Sequence, residues 1–216
     1  PRSTPKPSSA ASDVYKRQAG YLSSGARVVS DVPKKAWPTY RIIAKMSILK
    51  IARMGHPILR RRARPVDLLE LTTAPMQKLI DDMIATMKEY QGIGLAGPQV
   101  HEDLRLFVAG VENGDEPMPL TVIVNPELTM LGDTSVDDWE GCLSIPDVRG
   151  RVPRAPEINV RAFDRQGKPL QFTARGMAAR VFQHETDHLD GILFLDRMKT
   201  FESLAFIEEY SRFLAE

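Results

Sequence analysis

One short segment carries residue types whose spacing suits metal binding and proton transfer. It reads His184-Glu185-Thr186-Asp187-His188, an H-E-x-x-H pattern in a stretch that is predicted to be helical. Side chains four residues apart lie on the same face of a helix, so His184 and His188 can bind one metal ion together. Glu185 points off that line and can move protons to and from a water beside the metal. The alternative is a pair of unrelated histidines, because a motif this short also arises by chance.

The only cysteine of the chain lies in the segment EGCLSIP, residues 140–146. A single cysteine excludes an intramolecular disulfide and indicates a reducing compartment. Such a residue is most often a small buried apolar side chain. The histidine helix, however, supplies only two ligands, and a catalytic metal site commonly has three protein ligands and an open position. Cys142 is therefore the candidate for the third ligand.

A third segment, GIGLAGPQ at residues 92–99, is rich in glycine. It lacks the lysine of a phosphate-binding loop and the spacing of a dinucleotide fingerprint, so neither kind of site is predicted. Two interpretations stay open. The segment can be a tight turn after a helix, or its backbone can closely approach an extended ligand while Gln99 offers an amide.

These three segments, in this order, resemble the motifs of the peptide deformylase family: G-φ-G-φ-A-A-P-Q, E-G-C-L-S and H-E-x-D-H. The resemblance runs from about Ser47 to about Lys199, which is most of the chain. One departure is Gly97, where the family usually has alanine. The smaller residue is expected to loosen local packing slightly and to remove no chemistry.

The resemblance implies an α+β fold, with antiparallel β-sheets packed around a central metal-binding helix and a C-terminal helix. In this fold Cys142 lies on a strand edge that faces the helix and joins His184 and His188 as a metal ligand. The implied reaction removes the formyl group from the N-terminal methionine of a newly made polypeptide and releases formate. Glu185 accepts a proton as hydroxide attacks the formyl carbon, and then passes it to the leaving amine.

Further residues take their expected roles from the family. The side-chain amide of Gln99 and the backbone N–H of Leu143 are expected to stabilise the oxyanion. The extended peptide is expected to pair with the backbone of Ile93 and Gly94 as an added strand. Arg149 matches a position near the substrate in bacterial members, with a solvated surface arginine as the alternative. The pocket for the first substrate residue is expected to hold methionine, and the matching positions around it are Ile93, Gly141 and Val181.

Other polar residues are expected to support this site. Glu140 and Arg154 are predicted to form an ion pair beneath the Cys142 strand, because metal ligands need partners that orient them. Asp187 is expected to bond nearby backbone or an arginine, or else to be a solvated helix carboxylate. Arg180 and Met177 flank the expected pocket, and their roles stay open.

The ligand types and the resemblance point to different metals. A set of one cysteine and two histidines would by itself indicate zinc. The family resemblance instead implies Fe²⁺, one ion per chain, with Zn²⁺, Ni²⁺ or Co²⁺ as substitutes. A ferrous thiolate site is expected to be sensitive to oxygen.

The composition is that of a small globular enzyme with an unusual leader. Hydrophobic residues make up 43% of the chain and charged residues 26%, and no apolar run is long enough to span a bilayer. Residues 1–45 carry nine lysines or arginines, but Asp13 and Asp31 are their only acids. This leader is expected to be disordered or non-native, with the catalytic domain at 46–216 beginning at Met46. A cytoplasmic location is expected, and an organellar transit peptide is the alternative.

Periodicity predicts the elements that position these residues. A helix from Pro75 to Tyr90 has apolar side chains at helical spacing. Asp67 to Leu71 can open a shorter helix before it, and Gly176 to Leu189 is the metal helix, which Gly191 ends. Two strands are predicted at Leu104–Ala109 and Leu120–Val124, and Asn125-Pro126 is expected to end the second. A hairpin is predicted from Ile158–Phe163 and Leu170–Thr173. A final amphipathic helix is predicted at Phe201–Leu214.

Two other functional classes remain open. An H-E-x-x-H peptidase needs a third ligand after the helix; no histidine follows His188, but Glu202, Glu208 and Glu209 leave a glutamate ligand open. A non-catalytic relative that binds peptides or ribosomes would lack a ligand, Glu185 or Gln99.

The expected partners are N-formylmethionyl nascent polypeptides. Transient ribosome association stays open, but the acidic final segment gives no support for binding nucleic acid, and no membrane partner is expected.

Overall fold

A computed structural model describes residues 47–111 and 118–215 of the chain. The predicted leader, residues 1–45, and the predicted start at Met46 lie outside the described residues. Within the described ranges, the chain forms antiparallel sheets and a helix that contacts strands of both. This arrangement confirms the predicted α+β fold.

The larger sheet has five strands in the spatial order β1-β2-β3-β6-β7, and every neighbouring pair is antiparallel. Its β6–β7 hairpin matches the prediction, because alternate residues of β6, including Ile158 and Val160, are buried on one face. Such alternation fixes which face of a strand meets the core. The strands are β1 (Gly94–Ala96), β2 (Leu106–Val111), β3 (Met118–Met130), β6 (Glu157–Phe163) and β7 (Pro169–Arg175).

The predicted end of the second strand at Asn125-Pro126 is wrong. Strand β3 continues to Met130, and its register with β6 shifts between Val124 and Glu127. Asn125 adopts the left-handed conformation, with φ of 51°. Its side chain accepts from the backbone N–H of Val66 and donates to the Val66 carbonyl, both at 2.8 Å. Asn125 thus bends the strand instead of ending it.

Two α-helices precede β1 among the described residues. The first, α1 (Leu68–Leu71), is a single turn whose N-terminus is capped by the side chain of Asp67. The second, α2 (Ala74–Glu89), packs Ile80, Met83 and Met87 into a core cluster with β1, β2 and β3. The apolar stripe predicted for this helix therefore lies in the hydrophobic core. None of the helices in the described ranges combines the length and apolar character needed to cross a bilayer.

The predicted metal helix, α3, has the expected bounds, Gly176–Leu189. The chain leaves it through Gly191, whose φ is 76°. Phe182 packs against Phe107 and Phe172 of the larger sheet, with ring centroids 5.5 and 5.9 Å apart. Buried aromatic contacts of this kind fix a helix firmly on a sheet. The histidines thus lie on a rigid support.

A smaller sheet lies against the helix and has the order β4-β5-β8. Its strands are β4 (Val136–Cys142), β5 (Ile145–Arg154) and β8 (Ala205–Phe206). Cys142 is opposite Ile145, so only Leu143 and Ser144 connect β4 to β5. Strand β4 is an edge strand, as expected, and it ends at Cys142. After α3 comes α4 (Phe194–Arg197), whose Phe194 packs in a core cluster with Cys142 and Val152.

The predicted continuous helix at Phe201–Leu214 is only partly present. Residues Phe201–Ser203 form a 3-10 turn, β8 follows, and helical structure begins only with α5 (Ile207–Glu209) and continues as a π-helical turn at Tyr210–Leu214. The backbone of Ala205 and Phe206 pairs with β5. Phe201, Phe206 and Phe213 stay exposed. Without a buried apolar face, helical periodicity does not stabilise a long helix, and strand pairing is favoured.

Candidate active site

Three potential metal ligands converge where β4 ends beside α3. The Sγ atom of Cys142 and a ring nitrogen from each of His184 and His188 all lie within 4.8 Å of one another. Sγ is 3.2 Å from Nε2 of His188. Cys142 and His188 are buried, and His184 is 9% exposed. One thiol and two imidazoles are a suitable ligand set for a transition metal, and three ligands leave one coordination position open.

The surroundings of the histidines also fit a metal. Nδ1 of His184 is 2.8 Å from Oε2 of Glu140, which leaves Nε2 for the ligand cluster. A metal-ligating histidine usually bonds a carboxylate or carbonyl through its other nitrogen in this way. His188 lacks such a contact: its Nε2 faces the sulfur, and its buried Nδ1 has no hydrogen-bond partner among the described residues. The fit to a metal therefore rests on the His184 contact and on the converging ligand atoms.

The charges at the cluster favour a cation as well. Burial raises the pKa of the Cys142 thiol, but the charge of His188 and hydrogen bonds from both histidines hold that pKa well below its usual range. Burial lowers the pKa of His184, but hydrogen bonds with Cys142 and Glu140 raise it well above its usual range. These directions favour the thiolate form of Cys142, which is the form of cysteine that binds metals.

Glu140 and Arg154 form the predicted ion pair. Arg154 donates to both carboxylate oxygens of Glu140, at 2.9 and 3.1 Å, and both side chains are buried. Burial raises the pKa of Glu140, but hydrogen bonds from His184 and Arg154 hold it well below its usual range. Arg154 also donates to Asp187 at 2.5 Å, and Asp187 accepts from Arg197 at 2.7 and 3.1 Å. Asp187 is therefore paired with arginines and is not a solvated carboxylate.

Glu185 lies against the backbone of Gly94. Its side chain is buried, and its Oε2 has no hydrogen-bond partner within the part of the chain that the structure describes. Burial raises the pKa of Glu185 to about 7. A carboxylate whose pKa lies near the working pH both accepts and releases protons readily. Glu185 is thus suited to move a proton beside the ligand cluster.

We expect a Gly94→Ala substitution to impair catalysis by displacing Glu185. A Cβ atom at residue 94 would stand 2.2 Å from Oε1 of Glu185, closer than any real contact. Because misplacing a catalytic group by about 1 Å can cost roughly 10²-fold in rate, kcat should fall by about that factor. Steady-state kinetics with measured metal content tests this, and wild-type kcat in the variant would contradict it.

The two predicted oxyanion donors lie beside the ligand cluster. Gln99 is buried, and its Oε1 accepts from the backbone N–H of Ala96 at 2.8 Å, which fixes the direction of the amide. Its Nε2 points at Sγ of Cys142, 3.5 Å away, and at Oγ of Ser144, 3.3 Å away. Leu143 follows Cys142 directly and lines the same cleft. The roles of Gln99 and Leu143 in catalysis stay predictions.

A cleft opens over the cluster. Four of the five residues predicted to bind substrate line it: Ile93, Gly94, Gly141 and Val181. Leu143 and Met177 add to its apolar wall, which suits an unbranched apolar side chain. Trp139 also lines the cleft and was not predicted. The only available signal was its position, directly before the EGCLS motif.

Arg149, the fifth predicted substrate residue, is placed differently. It is 1% exposed, which excludes the solvated surface arginine, and it is not among the residues that line the cleft. The side chain runs behind Gly141, and its guanidinium carbon lies 5.5 Å from the ring centroid of Tyr210. Contact between Arg149 and substrate stays a prediction.

The expectation that Gly97 loosens the packing is wrong. A Cβ atom there would stand 2.6 Å from the carbonyl oxygen of Leu104 and 3.3 Å from that of Glu102. The backbone after the turn thus occupies the space that an alanine methyl group would need. Glycine permits closer packing of two backbone segments. It leaves the polar groups of Gln99 unchanged.

Comparisons with known proteins agree with this site. A family model described as polypeptide deformylase matches residues 48–203. Peptide deformylase 2 of Nostoc sp. is 41% identical over 174 residues, which cover 78% of this chain and 96% of that protein. Peptide deformylase 2 of Pseudomonas putida is 43% identical over 166 residues, which cover 74% and 93%.

Solved structures give the same result. The Met-Ala-Ser-bound class I type b peptide deformylase from Acinetobacter baumannii is similar with a TM-score of 0.68 at 38% identity, covering 71% of this chain and all of that one (100%). Peptide deformylase from Thermotoga maritima is similar with a TM-score of 0.65 at 37% identity, covering 71% and 99%. The similarity therefore spans nearly the whole length of these relatives.

Proposed function

Because this chain belongs to the peptide deformylase family, whose model matches residues 48–203, we propose that its cleft removes the formyl group from the N-terminal methionine of newly made polypeptides. The products are formate and a free amino terminus. The observation that carries the proposal is the convergence of Cys142, His184 and His188 beside the buried carboxylate of Glu185. Metal-assisted hydrolysis of an amide uses a water held by a metal and a proton carrier beside it.

The metal would be held by Cys142, His184 and His188. It would supply Lewis acidity and a bound water whose pKa is lowered toward neutrality. The proposed ion is Fe²⁺, which rests on the family resemblance, with Zn²⁺, Ni²⁺ or Co²⁺ as substitutes. The donor atoms are also compatible with zinc, so ion identity is a question for the purified protein.

The side chains around the ligands would carry out the proton and charge transfers. Glu185 would accept a proton as water adds to the formyl carbon and would return it to the leaving nitrogen. Its pKa of about 7 supports both transfers near neutral pH. Gln99 and the backbone N–H of Leu143 would donate to the developing oxyanion. The hydrogen bond from Ala96 to Oε1, which fixes the direction of the Gln99 amide, supports this role.

The substrate would bind as an added strand. Strand β1 is the outermost strand of the larger sheet among the described residues, which supports pairing of a peptide along the edge away from β2. Gly94 is in this strand and Ile93 directly precedes it. Main-chain pairing of this kind gives affinity without selecting later side chains. The methionine side chain would pack against the apolar wall of the cleft, which includes Val181 and Met177.

Neither alternative function is favoured. The glutamates that a peptidase would need, Glu202, Glu208 and Glu209, are all exposed, and none belongs to the ligand cluster. A non-catalytic relative would lack a ligand or Glu185, but all of these residues are in place. The formylated nascent chain is a product of translation, so a cytoplasmic site of action is proposed. The organellar alternative depends on residues 1–45, outside the described residues.

Formate release from a formyl-Met-Ala-Ser peptide by anaerobically purified protein tests the proposal. We expect activity with this peptide and none with its acetylated counterpart, because the cleft is proposed to act on formyl amides. Removing the metal with a chelator should abolish formate release, and Fe²⁺ should restore it more fully than Zn²⁺. Cleavage of internal peptide bonds without formate release would instead indicate a peptidase.

A further inference from the structure

Arg180 joins the metal helix to both neighbouring strands of the smaller sheet. It lies on α3, one turn before His184, and is 7% exposed. Its Nη1 donates to Oε1 of Glu140 at 2.9 Å and to the carbonyl of Val152 at 2.8 Å. Its Nη2 donates to the carbonyl of Val136 at 2.6 Å. One guanidinium thus donates to a carbonyl of β5, to a carbonyl at the start of β4 and to a carboxylate near the end of β4.

Glu140 is the point at which these contacts reach the metal ligands. Its Oε1 accepts from Arg180 and Arg154, both at 2.9 Å, and its Oε2 accepts from Arg154 at 3.1 Å and contacts Nδ1 of His184 at 2.8 Å. Two planar guanidiniums on one carboxylate fix its orientation. The carboxylate in turn fixes the ring of His184. Cys142 is only two residues further along β4.

We propose that Arg180 is a positioning residue for the metal centre. It fixes the position of β4, the strand that ends in Cys142, relative to the helix that carries His184. Arg154 does not duplicate this role, because its contacts are to Glu140 and Asp187, whereas Arg180 also holds the start of β4 through Val136. The expected effect of Arg180 on catalysis rests on the proposed function. The expected effect of Arg180 on the geometry of the metal site does not rest on it.

The test compares Arg180→Met with a matched control, Arg165→Met. Arg165 is also largely buried, at 13% side-chain exposure, and donates to Gln77 at 2.9 Å and to Asp81 at 2.8 Å. Those contacts join the β6–β7 hairpin to α2 and do not reach the cleft. Both variants lose buried arginine hydrogen bonds, so both should lower the melting temperature. Only a positioning residue should change the metal centre.

Three measurements distinguish these roles: the absorption spectrum of the Co²⁺-loaded protein, the rate of metal loss to a chelator, and kcat and KM for formate release. In Arg180→Met, we expect an altered cobalt–thiolate spectrum, metal loss about tenfold faster or more, as for lost partners of other metal ligands, and a lower kcat. In Arg165→Met, the spectrum and the rate of metal loss should match those of the wild type.

Arg180→Lys provides a second variant if Arg180→Met does not fold. A single ammonium cannot bond Glu140 and Val136 in the same geometry, so the rate of metal loss should stay faster than that of the wild type. A wild-type cobalt spectrum and rate of metal loss in a folded Arg180 variant would overturn the proposal. If the wild-type protein released no formate while Arg180→Met still altered the cobalt spectrum, the proposed function would fail and this inference would stand.

Discussion

Replacing Glu185 with glutamine is expected to lower kcat for formate release by about 10²–10⁴-fold while the metal stays bound. The size follows from the usual contribution of a general acid–base group. Glutamine keeps the shape of the side chain against Gly94, but it cannot accept and return a proton. None of the three ligand atoms changes. Anaerobic kinetics together with elemental analysis of the same preparation measures both quantities.

The metal content of Glu185→Gln decides what the residue does. A wild-type metal-to-protein ratio and cobalt spectrum, with the expected fall in kcat, would support a proton carrier beside the metal. Loss of the metal along with activity would show that Glu185 is itself a ligand. A kcat within a few-fold of the wild-type value would mean that another group transfers the proton.

Cys142→Ser is expected to weaken metal binding by more than the roughly 10–100-fold that loss of a ligand's supporting partner costs. The substitution replaces a buried thiolate with a neutral hydroxyl group, which is a poor ligand for a transition metal. Formate release should fall with metal occupancy. Competition with a chelator measures the affinity, and loss of the thiolate absorption bands of the Co²⁺ form reports the ligand directly.

This variant also separates the two metal-hydrolase classes. A peptidase whose third ligand followed the helix, such as Glu202 or Glu208, would keep its metal after Cys142→Ser. Thermal unfolding without metal serves as the control, because Cys142 packs in a core cluster with Phe194 and Val152. If Cys142→Ser bound metal as tightly as the wild type, the ligand set described here would be incorrect.

Local patterns predicted the elements that depend on local structure. The bounds of α3 and the β6–β7 hairpin follow from periodicity and glycine placement, and both agree with the structure. The left-handed Asn125 was not predicted, because its conformation depends on hydrogen bonds to Val66, 59 positions away. For the same reason, the sequence did not show that residues 205 and 206 pair with β5 instead of continuing a helix.

The candidate site divides in the same way. His184 and His188 could be placed together from helical spacing alone. The approach of Cys142 depends on tertiary structure, for which the number of ligands that a catalytic metal needs and the family motif were the guides. Arg149 lies beside the ring of Tyr210, and Arg180 bonds carbonyl groups of distant strands. Spacing along the chain does not encode such tertiary partners.

The shortness of β1 has a consequence for the proposed binding of substrate. A peptide added along Gly94–Ala96 would meet a strand of only three residues, and each main-chain hydrogen bond has a net value of about 0.5–1.5 kcal/mol. Under the proposed pairing, so short a ladder would hold many sequences weakly and would release each soon after the amide is cleaved. Broad acceptance of nascent chains would follow from the few residues that the sheet presents.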